Sequence, residues 1–288
     1  MKYFSCLILI LIFVQSCVKN NTNPAWLDIA SWQLEENPDL NTLEGALSQN
    51  FTDVYIIIDG EVLGFFELPI KLPVLKEGKH KILFYPAIKN NGISATKRIF
   101  PFCTAYQLQV DFQANQTIFV QPVTHYASNC QFWIEDFEDA SIKILTDDAY
   151  STGTITPQND PAILKYGSYY GHIALTDVNS TWLGYTNPAM ALPQGASEVF
   201  LEIDYMNTNS LLTGLFAFTP TNLLKHPNIQ LNRQASSDLK WKKIYIDLKE
   251  LVSASTGATA FSHYFNANID FGLSKGDIYI DNIKVIHF

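Results

Sequence analysis

Apolar and polar positions alternate with a period of two along most of the chain, and no helical period persists for ten residues. Val199, Leu201, Ile203 and Tyr205 mark one side of a segment running from Glu198 to Met206. Period two belongs to strands with one buried face. The β-branched and aromatic run Asp53–Ile58 is followed by Asp59-Gly60 and then by Glu61–Phe66. Asp-Gly between two such runs predicts a hairpin, because a type I′ turn needs positive φ at both central residues. Gly78 introduces Lys79–Ala87, where Ile82, Phe84 and Pro86 share a side; Asn90-Asn91-Gly92 turns the chain again, and Ala114-Asn115 parts Tyr106–Phe112 from Thr117–Val123. About seven short strands within residues 26–126 predict a small β-sandwich. Residues 129–288 continue the pattern, with strands expected at Tyr169–Thr176, Glu198–Met206, Leu212–Phe218, Lys240–Ile246, Asn266–Gly272 and Asp277–Ile286, and one helical turn at Asp247–Leu251. The expected fold class is all-β, two β-sandwich domains, and a parallel α/β fold is excluded.

The first residues break this pattern. Lys2 precedes an unbroken apolar octet, Leu7–Val14, and then Gln15-Ser16-Cys17. A basic residue, a short apolar stretch and a small residue form a secretory signal. Eight apolar residues rise about 12 Å as a helix, well short of a hydrocarbon core of about 30 Å. Val14-Gln15-Ser16-Cys17 resembles a bacterial lipobox, which implies removal of residues 1–16, acylation of Cys17 and a lipidated tether over residues 17–25. No acidic residue follows the cysteine, and Val18 there points to the outer membrane, with its periplasmic or surface face left open. The lipid would then be the membrane contact, since no other stretch approaches 18 apolar residues.

Of the 288 residues, 47% are hydrophobic and 16% charged, with a net charge of −9. That balance excludes nucleic acid as a partner and excludes disorder. There is no nucleophile elbow, no His-Glu-x-x-His, no phosphate loop and no Cys-x-x-Cys, and the histidines at 80, 125, 172, 226, 263 and 287 lack metal-ligand spacing. The chain therefore reads as no enzyme and as needing no cofactor. Cys103 and Cys130 remain after processing, and an exported compartment permits a disulfide between them, two buried free thiols being the other reading. Tyr169, Tyr170, Trp182 and Tyr185 lie in loop-rich stretches near Asn179 and Asn187. Rings stack on the apolar faces of sugars while amides meet their hydroxyls, so these four are candidate ligand contacts. Trp133 and Trp241 are expected in the core.

Two resemblances refine the layout. Val54–Gly64, Pro69 and Leu75–Leu83, with Gly78-Lys-His80 between strands, resemble a PEGA-type surface-layer module. That resemblance implies an Ig-like or prealbumin-like sandwich without catalysis, and a structural His80 at a strand start. Asp136-Phe137-Glu138, Trp241–Leu248 and Ile278–Val285 together resemble the galactose-binding-like jelly roll of carbohydrate-binding modules. A structural calcium often held there implies Glu138 and Asp281 as its carboxylates. The whole chain is also similar to bacterial lipoproteins of the same two-part layout. Two functions stay open: glycan capture at the cell envelope by the second unit, or a structural role contacting other envelope proteins.

Overall fold

Asp59 and Gly60 both adopt positive φ, 50° and 84°, and join β3 (Asp53–Ile58) to β4 (Glu61–Glu67) in the expected hairpin. The computed structural model describes residues 23–288, so the signal segment, Cys17 and all but the end of the tether lie outside the described residues. β3 lies between β4 and β6 (Gly78–Lys89), and β6 also pairs with β7 (Lys97–Ile99) and β8 (Tyr106–Phe112). A second sheet sets β1 (Ala25–Ile29) between β5 (Ile70–Val74) and β9 (Thr117–Val120), with β2 (Gln33–Leu34) paired to β10 (Val123–Thr124) nearby. Alternation decides what is buried: Val54, Ile56 and Ile58 are sealed off, while Tyr55 and Ile57 are only partly covered. His80 is structural. Its Nδ1 meets Asp59 Oδ2 at 2.5 Å and its Nε2 meets the Glu77 carbonyl at 2.9 Å, tying the hairpin to β6.

The strands from Gln131 onward form two further sheets. One runs β13 (Ile155–Gln158), β14 (Tyr170–Thr176), β21 (Lys275–His287), β16 (Val199–Asn207), β19 (Lys242–Asp247), with β11 (Gln131–Glu135) also on β21. The other runs β12 (Ile144–Thr146), β15 (Thr181–Thr186), β20 (Ala260–Asn268), β17 (Leu211–Phe218), β18 (Leu223–Leu231). From β14 the chain passes between sheets at every step except the β17–β18 hairpin. The resulting orders, β14–β21–β16–β19 facing β15–β20–β17–β18, are those of an eight-stranded jelly roll. The one helical turn forms as α1 (Lys249–Ala254). Inward residues of both sheets, among them Ile203, Leu215, Ile246, Phe265 and Ile280, make the core.

The outward face of the β16 sheet is buried too, because the N-terminal unit lies on it. Phe200, Tyr245 and Ile286 belong to the same apolar cluster as Phe51, Phe100 and Phe102. Between these rings four charges are buried: Glu202, Asp204, Lys243 and Lys284. Lys243 Nζ sits 2.8 Å from Glu202 and 2.9 Å from Ser48 Oγ, which donates to Asp204. Tyr126 donates its hydroxyl to Glu202, and Lys284 donates to the Ala46 carbonyl at 2.6 Å. Burial alone depresses both ammonium groups; Glu202 and Asp204 more than restore that of Lys243, whereas Lys284 stays down at about 8. At the rim Arg98 pairs with both Glu198 and Asp247.

Candidate functional site

With one outer face sealed, the outer face of the β12–β15–β20–β17–β18 sheet is the broad surface the jelly roll presents. Strand registers place Leu145, Tyr185, Tyr264, Gly214 and Pro227 side by side in one row across all five strands. Five strands at a spacing of about 4.8 Å make the row roughly 19 Å long. The row on one side holds Leu183, Asn266, Leu212 and Gln230; the row on the other holds Ser262, Phe216 and Lys225.

Tyr264 is the centre of this face. Its ring lies across Gly214, where any Cβ would come within 2.4 Å of ring atoms, so the glycine is the seat the ring requires. Phe216 packs against it at 4.6 Å between centroids, and Tyr185 stands edge-on to Phe216 at 6.1 Å. The ammonium of exposed Lys225 lies 4.8 Å from the Tyr264 centroid and 5.7 Å from that of Phe216, a cation–π contact that covers the rings from above. Burial pushes the Tyr264 phenol up from its ordinary value, and its Oη has no hydrogen-bond partner among the described residues. The side-chain amides of Asn266 and Gln230 are likewise without partners on the protein among the described residues. Tyr264 is fully buried and Phe216 only 7% exposed beneath the Lys225 ammonium, so the half-buried Tyr185 is the ring of this row that reaches the surface, with the amides of Asn266 and Gln230 in the next row. Tyr185 and the exposed Leu145 beside it can meet a flat apolar surface while the amides hydrogen-bond the polar groups around it.

The residues expected from sequence are dispersed. Tyr185 lies on this face. Trp182 does not: it is one residue out of phase, points into the core fully buried, stacks with Phe265 and donates Nε1–H to Thr146 Oγ1 at 3.1 Å. Its stretch is strand β15 rather than loop, and strand alternation removes it as a ligand contact. Tyr170 is buried beneath the opposite sheet's outer surface, edge-on to Trp241 and Tyr279, and is likewise withdrawn. Tyr169 is exposed but precedes β14, on that opposite sheet. Trp241 is half-buried at a cleft rather than in the core. Phe216, Tyr264 and Lys225 were missed.

Cys103 and Cys130 are both buried free thiols, and the disulfide expectation is corrected accordingly. Cys130 Sγ lies 3.5 Å from the Phe102 carbonyl, and burial pushes its thiol up to about 12. Glu138 spends Oε1 on the amides of Ser168 and Tyr169, at 2.6 and 2.9 Å. Asp281 is buried, accepts from the Asn282 amide and is pushed up to about 8 by desolvation, with Asp204, Asp136 and Glu138 adding to the rise. Among the described residues no three His, Cys, Asp or Glu side chains come together as metal ligands. Calcium takes six to eight oxygens, and this pair with one partner already committed does not supply them.

No protein-family model matches the chain, and no curated protein matches it. Solved structures overlap it weakly. A xylan-binding CBM22-2 domain of Paenibacillus barcinonensis Xyn10C is 16% identical, with 54% of this chain and 99% of that domain covered at a TM-score of 0.40. A carbohydrate-binding module of the β-sandwich superfamily is 13% identical over 80% of this chain and 83% of that one, at 0.37. A family 11 carbohydrate-binding module of Clostridium thermocellum is 12% identical over 54% and 94%, at 0.35. Overlaps at this level do not decide a function; the registers and the aromatic cluster stand on the chain's own residues.

Proposed function

We propose that this chain is a non-catalytic, lipid-anchored protein of the cell envelope that binds glycan on the open face of its jelly roll. The observation that carries the reading is the surface pair Leu145 and Tyr185 on this face, backed by the buried rings of Tyr264 and Phe216. It lies on a face over which no second sheet packs, with the side-chain amides of Asn266 and Gln230 in the neighbouring row. A row of roughly 19 Å matches several sugar rings laid end to end across the strands. Affinity gel electrophoresis and glycan arrays test it. The wild-type chain is retained by a neutral polysaccharide, and Tyr185→Ala weakens retention by roughly fivefold, the usual worth of an aromatic contact of about 1 kcal/mol. Retention of folded protein on no glycan, or a Tyr185→Ala variant that binds as tightly as wild type, would sink the proposal.

The anchor is tested separately. Cys17 fused out of the chain, by joining a heterologous secretory signal to Val18, should yield a protein that fractionates as soluble. Persistence on membranes after a high-salt wash would place the attachment elsewhere. No helix among the described residues is long and apolar enough to cross a membrane.

A structural role has one specific observation behind it. β4 is the edge of its sheet and exposes Val62, Leu63 and Phe65 at 59%, 45% and 37%. An apolar edge strand is open to pairing with another chain. Crosslinking in intact cells separates the readings, since a stable protein partner lost on Val62→Lys favours assembly.

A further inference from the structure

Where the N-terminal unit meets β19, the two units leave a cleft of about 310 Å³. Its chemistry runs against that of the whole protein. The chain carries 28 acidic residues against 19 Lys and Arg, yet Lys89, Lys165, Lys242 and Lys243 all line this cleft and no Asp or Glu does. Lys243 is committed to Glu202 behind the wall, and Lys89 reaches Glu67 at 3.6 Å. Lys165 and Lys242 are exposed and have no carboxylate partner among the described residues. An acidic chain that gathers unpaired ammonium groups in one concavity creates a local positive potential that neighbouring carboxylates do not cancel.

The walls between the lysines are rings and amides. Trp241 contributes an indole fixed in place by its Nε1–H bond to the Ile163 carbonyl at 2.7 Å, which also ties the segment carrying Lys165 to β19. Asn50 faces it and is itself held, its amide nitrogen donating to the Lys243 carbonyl at 3.0 Å. The cleft is therefore bounded by side chains already positioned by buried contacts, and its volume sits at the small end of ligand pockets, about 300–1,000 Å³. A ring to stack on, amide and hydroxyl groups beside it and free cations at the mouth are the complement of a small sugar bearing acidic substituents. We infer that this cleft binds an acidic saccharide, with Trp241 beneath a sugar ring and Lys165 and Lys242 on its carboxylates or sulfates.

This site shares no residue with the Leu145 and Tyr185 surface on the open sheet, so the inference holds or fails independently of the proposed function. Calorimetry on the full chain with trigalacturonate, galactotriose and inorganic phosphate tests it. Trigalacturonate should bind more tightly than either of the others, and its binding should weaken as salt is raised, because rim charges are screened. The double variant Lys165→Ala/Lys242→Ala, both positions being exposed, should fold and lose roughly tenfold in affinity for trigalacturonate. Tyr185→Ala should leave that affinity unchanged. Equal binding of galactotriose, or a double variant that binds trigalacturonate as wild type does, overturns the inference. Phosphate binding as tightly as trigalacturonate overturns the saccharide part and leaves a bare anion site. Loss of neutral-glycan retention in Tyr185→Ala with uronate binding intact would confirm two separate sites.

Discussion

The two outer faces of the jelly roll differ in what they bury. The face buried against the N-terminal unit carries Glu202, Asp204, Lys243 and Lys284, whereas the other carries an aromatic cluster in which Phe216 and Tyr264 are buried and Tyr185 reaches the surface. Each arrangement has its own physical reason. Buried charges gain little net stability over a well-packed apolar surface, but they are satisfied in only one docked geometry, so they fix how the units meet. Here two acids and two bases neutralise one another, and Ser48, Tyr126 and Ala46 reach across to meet them. On the other face the aromatic cluster buries its own inner rings, Tyr264 and Phe216, beneath the Lys225 ammonium and so needs no second layer to cover them. The comparison shows that one face of a sandwich can be closed by a second unit over paired charges and the other by its own side chains over rings.

The largest expected effect breaks the sealed face. Lys243→Met leaves Glu202 and Asp204 buried without their cation, and unfolding free energy should fall by about 3–5 kcal/mol. Denaturant titration checks this, and a loss below about 1 kcal/mol would mean that water enters the interface. On the open face, Gly214→Ala forces a Cβ into the Tyr264 ring. Stability should drop by about 1–3 kcal/mol, the ordinary cost of overpacking, and glycan retention should drop with it. A variant with normal retention would show that Tyr264 does not back the surface pair.

The smallest effect probes the space between the faces. His263 points inward on β20, fully buried, with neither ring nitrogen hydrogen-bonded among the described residues, and burial lowers its pKa to about 3. The unfolded chain takes up a proton near pH 6.5 that the folded chain refuses until about pH 3. Stability from this residue is thus complete above pH 6.5 and is lost as pH falls towards 3, about 1 kcal/mol having gone by pH 5.5. His263→Leu should flatten that part of the pH–stability curve. An unchanged curve would show that the imidazole is solvated in the folded state. The open-face variants should leave this pH dependence as it is, which sharpens the separation of the two surfaces from the core.

Much of the fold was legible where one signal acted alone. Asp59-Gly60 fixed a hairpin by turn chemistry, and Val199, Leu201 and Ile203 marked a strand by alternation. β15 and β18 are not among the strands expected from the sequence, and each carries a residue that is uncommon in strands, Gly184 and Pro227. Each has a tertiary reason to be in a strand. Gly184 makes room for the Trp182 ring within the core, and Pro227 sits on an edge strand beside a register shift, where no ladder donor is missed. β20 was placed six residues late, at Asn266 rather than Ala260, since its alternation is masked by the run Phe261-Ser-His-Tyr-Phe265. That run, like Leu215-Phe216-Ala217-Phe218, is apolar on both faces. A strand with rings on both sides in a sheet covered on only one was the signal for the aromatic cluster, and it becomes readable only once the covering layer is known. The Lys165–Lys242 cleft joins segments far apart in sequence, so no local pattern could announce it.

β21 has a further consequence, for biosynthesis. It is the central strand of its sheet, hydrogen-bonded to β14 and β11 on one edge and β16 on the other, and it also supplies Lys284 and Ile286 to the contact between units. It is also made after every other described strand, since it follows them in chain order. A chain interrupted before Lys275 would leave β14 and β16 with no partner between them and the N-terminal unit with part of its seat missing. Neither the jelly roll nor the joint can close until β21 has been synthesised, so one strand latches both units. Prematurely terminated products should stay open and protease-sensitive rather than accumulate as half-functional copies.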